Sequence, residues 1–154
     1  MAGRGFAQAG QRGQETAGLA ARGAWEDAQR ELAGVDERTP AGARLAGLVR
    51  FARGDYAGAA AAWKMASTAE PGDAPTLFLL GWAQLAAGDD RPAIGTWRAA
   101  ALADPTLVPV HLALVDAYLR LGQPELALQV VRSGLQALPD SRELRDRLAR
   151  LERR

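Results

Sequence analysis

The sequence predicts an all-α chain built of stacked helical hairpins, and three observations carry that prediction. The first is composition. Of 154 residues, 34 are Ala and 21 are Leu, whereas Val and Ile together number eight and Asn is absent. That inventory favours helices and supplies little material for strands. The second is a repeat period that stays constant through three copies without a gap. Gly54, Gly88 and Gly122 share one register; so do Ala59, Ala93 and Ala127; Trp63, Trp97 and Val131; Ala66, Ala100 and Gly134; and Pro71, Pro105 and Pro139. The third is that the Gly and the Pro of each period divide it into two helix-length segments, one ending at the Gly and one running from the Gly to the Pro.

The elements follow in order. Residues 1–8 read as a disordered start. Residues 9–39 read as a degenerate hairpin, in which a Gly- and Gln-rich segment over 9–22 is a poor helix former. A helix over 24–34 follows, with Trp25, Ala28, Leu32 and Val35 on its apolar side. The step from Gly23 to Gly54 is shorter than the step from Gly54 to Gly88, which marks this copy as degenerate. Three full units then span 40–73, 74–107 and 108–140. Their first helices are expected near 41–53, 75–87 and 109–121, each stopped by a glycine that can take the left-handed conformation past a helix end. Their second helices are expected near 56–69, 90–103 and 124–137. Asp89 or Asp90 is placed to cap the middle one, and Pro92 and Pro124 fit a first helical turn. Pro71, Pro105 and Pro139 lie just beyond each second helix, where a residue lacking an N–H does least harm. The small column residues allow close helix approach, with Trp63, Trp97 and Val131 filling the space beside them. Residues 141–154 read as a terminal helix. Asp140 and Glu143 suggest its capping box, Leu144, Leu148 and Leu151 its single apolar stripe, and Glu143–Arg147 and Asp146–Arg150 its i,i+4 pairs. A solenoid needs such an element to cover its last open face.

These columns resemble the tetratricopeptide repeat family. The resemblance covers residues 40–139, and the middle unit carries it best, through Leu80-Gly81, Ala93, Trp97, Ala100 and Pro105. The units depart from the family pattern at Ala43, Leu77 and His111 in place of an early Trp, at Arg50 and Gln84 where only Tyr118 matches, and at Val115 in place of Gly47 and Gly81. The resemblance implies a right-handed alpha-alpha superhelix, a solenoid of helix hairpins with a C-terminal capping helix. It also implies that the first helix of each unit lines a concave face.

Charge and residue inventory limit the chemistry. Net charge is +1, with 19 basic and 18 acidic residues, and all the bases but Lys64 are Arg, a bias typical of GC-rich bacterial genes. The charges are mixed along the chain, so no block forms a nucleic-acid footprint. There is no Cys and a single His, His111, so disulfides and thiolate metal sites have no material, and any multi-histidine metal site or Ser-His pair would rest on His111 alone. No metal site, no cofactor and no catalytic residues are expected, and the chain reads as a non-enzyme. The apolar stretch over 76–87 is far shorter than the ~20 residues of a membrane span, and the N-terminus lacks the apolar core of a signal peptide, so no membrane insertion and a cytoplasmic location are expected.

The expected function is therefore binding. Helical spacing places Arg44, Leu48 and Phe51, then Phe78, Trp82 and Leu85, then Leu112, Asp116 and Leu119 on the inner face. Seven of these nine are apolar, which suits an apolar or amphipathic peptide or helix of a partner protein, with Trp82 as anchor. The alternative is a self-assembling structural subunit, a homodimer among its forms, whose groove or end faces are covered by its own copies; a separate reading has the N-terminal segment or the C-terminal helix of the same chain folded over the groove. Relatives of the family that grip a C-terminal carboxylate use Lys, Asn and Arg where this chain has Arg44, Leu48, Leu79, Pro109 and Ala113. The resemblance therefore does not extend to that clamp.

Overall fold

The computed structural model of the protein describes residues 30–153. Residues 30–33 are helical and turn at Gly34, which is the described end of the helix expected over 24–34. The expectations for residues 1–29 lie outside the described residues. Seven longer helices follow: α1 Pro40–Ala52, α2 Tyr56–Ala69, α3 Ala74–Ala86, α4 Asp90–Ala103, α5 Val108–Arg120, α6 Pro124–Ala137 and α7 Arg142–Leu151. Consecutive helices pack on one another, so α1/α2, α3/α4 and α5/α6 form three hairpins stacked in chain order. No strand occurs among the described residues.

Local chemistry sets the helix ends. Thr39 caps α1, its hydroxyl accepting from the Gly42 N–H at 3.0 Å, and Asp55 caps α2 by accepting from Gly58 N–H at 2.9 Å. Gly54, Gly88 and Gly122 have φ of 79°, 92° and 68°, as a residue ending a helix in the left-handed region requires. The first helices start slightly earlier than the sequence suggested, because Pro40 is itself the first helical residue and Pro75 and Pro109 occupy the second position. Asp89 does stand at the N-cap of α4, but its carboxylate accepts no helix N–H. At α7 the cap is Ser141 rather than Asp140; Ser141 accepts from the Leu144 N–H, and Asp140 instead pairs with Arg145 at 2.6 Å.

The core lies along the hairpin seams. Ala59, Ala93 and Ala127 are fully buried, as are Ala66, Ala100 and the matching Gly134. Trp63 and Trp97 are each 1% exposed, and each fits a gap left by a glycine on the first helix of its own hairpin. A Cβ on Gly47 would collide with Trp63 Nε1, and one on Gly81 would collide with Trp97 Nε1. The indole N–H groups are satisfied in the same way in both copies. Trp63 donates to the Arg44 carbonyl at 3.1 Å and Trp97 to the Phe78 carbonyl at 3.0 Å. In the third hairpin both partners change together. Val115 takes the glycine position and Val131 the tryptophan position, and both are buried in the same cluster. His111 is buried as well, its Nε2 lying 2.8 Å from the Pro105 carbonyl and its ring against Gly134, which makes it a packing residue.

Helix α7 starts at Arg142, one full repeat period after Val108 starts α5, and so keeps the repeat phase. Leu144 is fully buried, like Gly42, Thr76 and Val110 at the same phase, and Leu148 and Leu151 pack on the core behind it. On the side where the first helices receive their second helices, the pattern is different. Phases held by Leu77, Gly81 and Gln84 in α3 hold Arg145, Ala149 and Glu152 in α7, and all three are exposed. One apolar side and one polar side make α7 a cap. The i,i+4 pairs expected within α7 are replaced by a longer reach: Arg147 pairs with Asp116 of α5, and Arg132 of α6 lies 3.4 Å from Glu152.

Candidate partner-binding surface

The repeat phase sorts the nine candidate residues into three rows across α1, α3 and α5: Arg44, Phe78 and Leu112; Leu48, Trp82 and Asp116; Phe51, Leu85 and Leu119. Within a helix the rows are separated by about one turn, so each helix contributes a stripe on one face. The stripe of α1 opens on a charge and that of α5 carries one at its middle, whereas that of α3 is apolar throughout.

The structure divides the residues by how far the core has claimed them. Leu48 and Phe51 are partly buried against the cluster of Ala59, Trp63, Leu80 and Ala83. Phe51 also meets Tyr56 edge-on at 5.1 Å between ring centroids and lies 5.8 Å from Trp63, so it belongs as much to the α1–α2 turn as to the surface. Phe78, Leu85, Leu112 and Leu119 pack partly against the larger cluster around Trp97 and Leu114. Trp82 is the apolar exception, being 40% exposed. Its ring stands edge-on to Trp97 at 5.3 Å and to Phe78 at 6.3 Å, an arrangement that fixes the indole while leaving one side open.

The two charged candidates are engaged. Arg44 lies 2.5 Å from Glu70 and 3.1 Å from Asp73, and Asp73 also accepts the Thr76 hydroxyl, so one carboxylate joins α1 to the start of α3. Asp116 is held by Arg147. Two features of this side escaped sequence reading. One is the Arg44–Glu70–Asp73 tie, which links distant positions and has no periodic signature. The other is that α7 continues the rows, which the spacing of Val108 and Arg142 does reveal once helix starts are aligned.

Elsewhere, a depression of about 500 Å³ runs along α6, lined by Glu125, Leu128, Gln129, Arg132, Ser133 and Gln136; it shares no residue with the three rows. Among the described residues no group of three or more His, Asp or Glu is assembled as a metal site. No described helix is long and apolar enough to cross a membrane.

Comparison with known proteins gives the fold a context. The family model described as tetratricopeptide repeat matches residues 108–151, which are α5, α6 and α7. No curated protein matches the chain. Among solved structures, the chain is similar to a thermophilic TPR protein of Thermus thermophilus, with a TM-score of 0.69, 22% identity, and coverage of 90% of this chain and 75% of that one. It is also similar to the TPR2B domain of yeast Sti1 in its pHsp70 complex, with a TM-score of 0.63 and 20% identity over 74% of this chain and 96% of that one. The Yersinia enterocolitica type III secretion chaperone SycD, in complex with a peptide of the translocator YopD, gives 0.58 and 16% identity over 69% and 81% of the two chains. With hairpins of one repeat phase from Pro40 onward and a capping helix in the same phase, the chain has the fold of the tetratricopeptide repeat structures it resembles, an all-α right-handed superhelix, and its last hairpin and capping helix match that family's model.

Proposed function

We propose that the chain is a protein-interaction module that holds an apolar or amphipathic peptide or helix of a partner protein against the rows of α1, α3 and α5. The observation that carries this reading is Trp82, whose indole is fixed by Phe78 and Trp97 yet remains 40% exposed at the centre of an apolar strip. A large aromatic held rigid in the unbound protein loses little freedom on binding, and such residues dominate interface energetics. Two of the similar structures described above are complexes, one with pHsp70 and one with a YopD peptide, which supports a binding role for the same fold. In this reading the protein acts in the cytoplasm, performs no catalysis and needs no cofactor, and nucleic acid is not its ligand.

The test pairs Trp82→Asp with affinity capture and sedimentation. The variant should keep its helical circular dichroism and lose captured partners. Loss of the helical signal would make Trp82 a core residue and remove the groove. A mass that doubles with concentration, and returns to monomer in the variant, would assign the strip to a second copy of the chain.

A further inference from the structure

The cations along the inner rows differ from one end to the other. At the α1 end the one row cation is neutralised, Arg44 by Glu70 and Asp73. At the α7 end the rows continue into Asp146, Arg150 and Arg153, which hold the phases of Leu112, Asp116 and Leu119. Arg150 therefore extends the row of Leu48, Trp82 and Asp116. On α5, Arg120 follows Asp116 by one helical turn and extends the same stripe, at a phase where α1 and α3 have Ala52 and Ala86. Arg120 and Arg150 are both exposed, and no carboxylate among the described residues lies within ion-pair distance of either. The nearby acids are otherwise occupied. Asp116 is held by Arg147, and Asp146 faces Arg142 at 4.0 Å rather than Arg150. Arg153 turns its Nε back to the Ala149 carbonyl at 2.9 Å.

An apolar strip that is neutral at one end and bears two unpaired guanidinium groups at the other has a direction. We infer that the partner segment is amphipathic and acidic on one side of its apolar residues: the apolar residues seat on Trp82 and Phe78, and the carboxylates meet Arg120 and Arg150. This inference rests on the groove reading and adds the chemistry and polarity of the occupant. Guanidinium groups suit it because they pair with carboxylates through two parallel N–H donors. Their place at the rim means that they select among partners and speed encounter more than they add affinity. A nucleic acid is disfavoured, because the strip between the charges is apolar and the chain as a whole carries only +1.

A library of random short peptides, panned against the full chain at low salt, reads both parts of the inference. Enriched peptides should combine apolar residues with Asp or Glu clustered to one side. Panning against the double variant Arg120→Gln/Arg150→Gln should keep the apolar enrichment and lose the acidic one. For a single selected peptide, the double variant should raise Kd about threefold to tenfold, and salt should erase that difference. Apolar enrichment without acidic enrichment, or acidic enrichment that survives the double variant, overturns the inference and leaves the groove standing. If no enrichment exceeds that of the Trp82→Asp control, the groove reading falls and takes the inference with it. A single-stranded oligonucleotide that binds only when Arg120 and Arg150 are present would also overturn it, in favour of a phosphate ligand.

Discussion

The indole nitrogen of Trp97 fills the space where a Cβ on Gly81 would sit, so these two residues share a single side-chain volume. Gly81→Ala should therefore destabilise the protein by about 1–3 kcal/mol through overpacking, despite the gain in helix propensity. Gly95 provides the control. It is also helical, is exposed and has nothing within 4 Å of its missing Cβ. Gly95→Ala should stabilise by roughly 0.5–1 kcal/mol. Urea midpoints of the two variants should move in opposite directions.

The third hairpin solves the same packing problem with Val115 and Val131. Val131→Trp alone should fold poorly, because the indole needs the volume that Val115 occupies. Adding Val115→Gly should restore the missing space and offer the Leu112 carbonyl to the indole N–H, in the phase of Arg44 and Phe78. A double-mutant cycle in chemical denaturation should show a favourable coupling of about 1–3 kcal/mol. Additive effects would mean that the two positions are not packed as a pair.

Helix α7 should be the first part of the stack to open. It is fixed chiefly by Leu144, which is fully buried, and more weakly by the Arg147–Asp116 pair at the surface. Leu144→Ala should cost about 2–5 kcal/mol, and Arg147→Ala no more than ~1 kcal/mol. Hydrogen exchange should then show lost protection in α7 for Leu144→Ala while α3 remains protected, since repeats are coupled mainly to their neighbours.

Trp82 separates binding from folding. Its ring is only partly buried, so Trp82→Ala should cost the fold ~2 kcal/mol or less. Loss of an anchor should weaken a peptide selected against the native chain by about thirtyfold or more, which titration of that peptide measures. A binding change smaller than about threefold would leave Trp82 as part of the hairpin seam alone.

The sequence made the repeat legible because the columns that fix it are rare residues under strict geometry. A positive φ demands Gly at 54, 88 and 122, and a residue without an N–H is tolerated at 71, 105 and 139. The second helices fall on the spans expected for them for the same reason. The Gly47–Trp63 and Gly81–Trp97 pairs were half-legible. Both columns were visible, but the members of each pair stand on different helices, and their meeting depends on the hairpin angle. The ion pairs were the least legible part. Arg147 had an acid available one turn before it on its own helix, and only the placement of α5 shows that it takes Asp116 instead. The inner strip lies between these cases. Its residue types were readable, whereas the degree to which the core claims Phe51 and Leu112 depends on packing across three helices.

The polar back of α7 bears on how copies of the chain meet one another. A repeat array whose last helix offered an apolar seam would invite another molecule to dock end-on, and a head-to-tail contact of that kind propagates into filaments. Here such docking would have to bury Arg145 and Glu152 beside a seam offering only the methyl of Ala149, and stripping two ionic groups of water costs more than that contact returns. End-on docking of another copy is thus disfavoured at this face of α7.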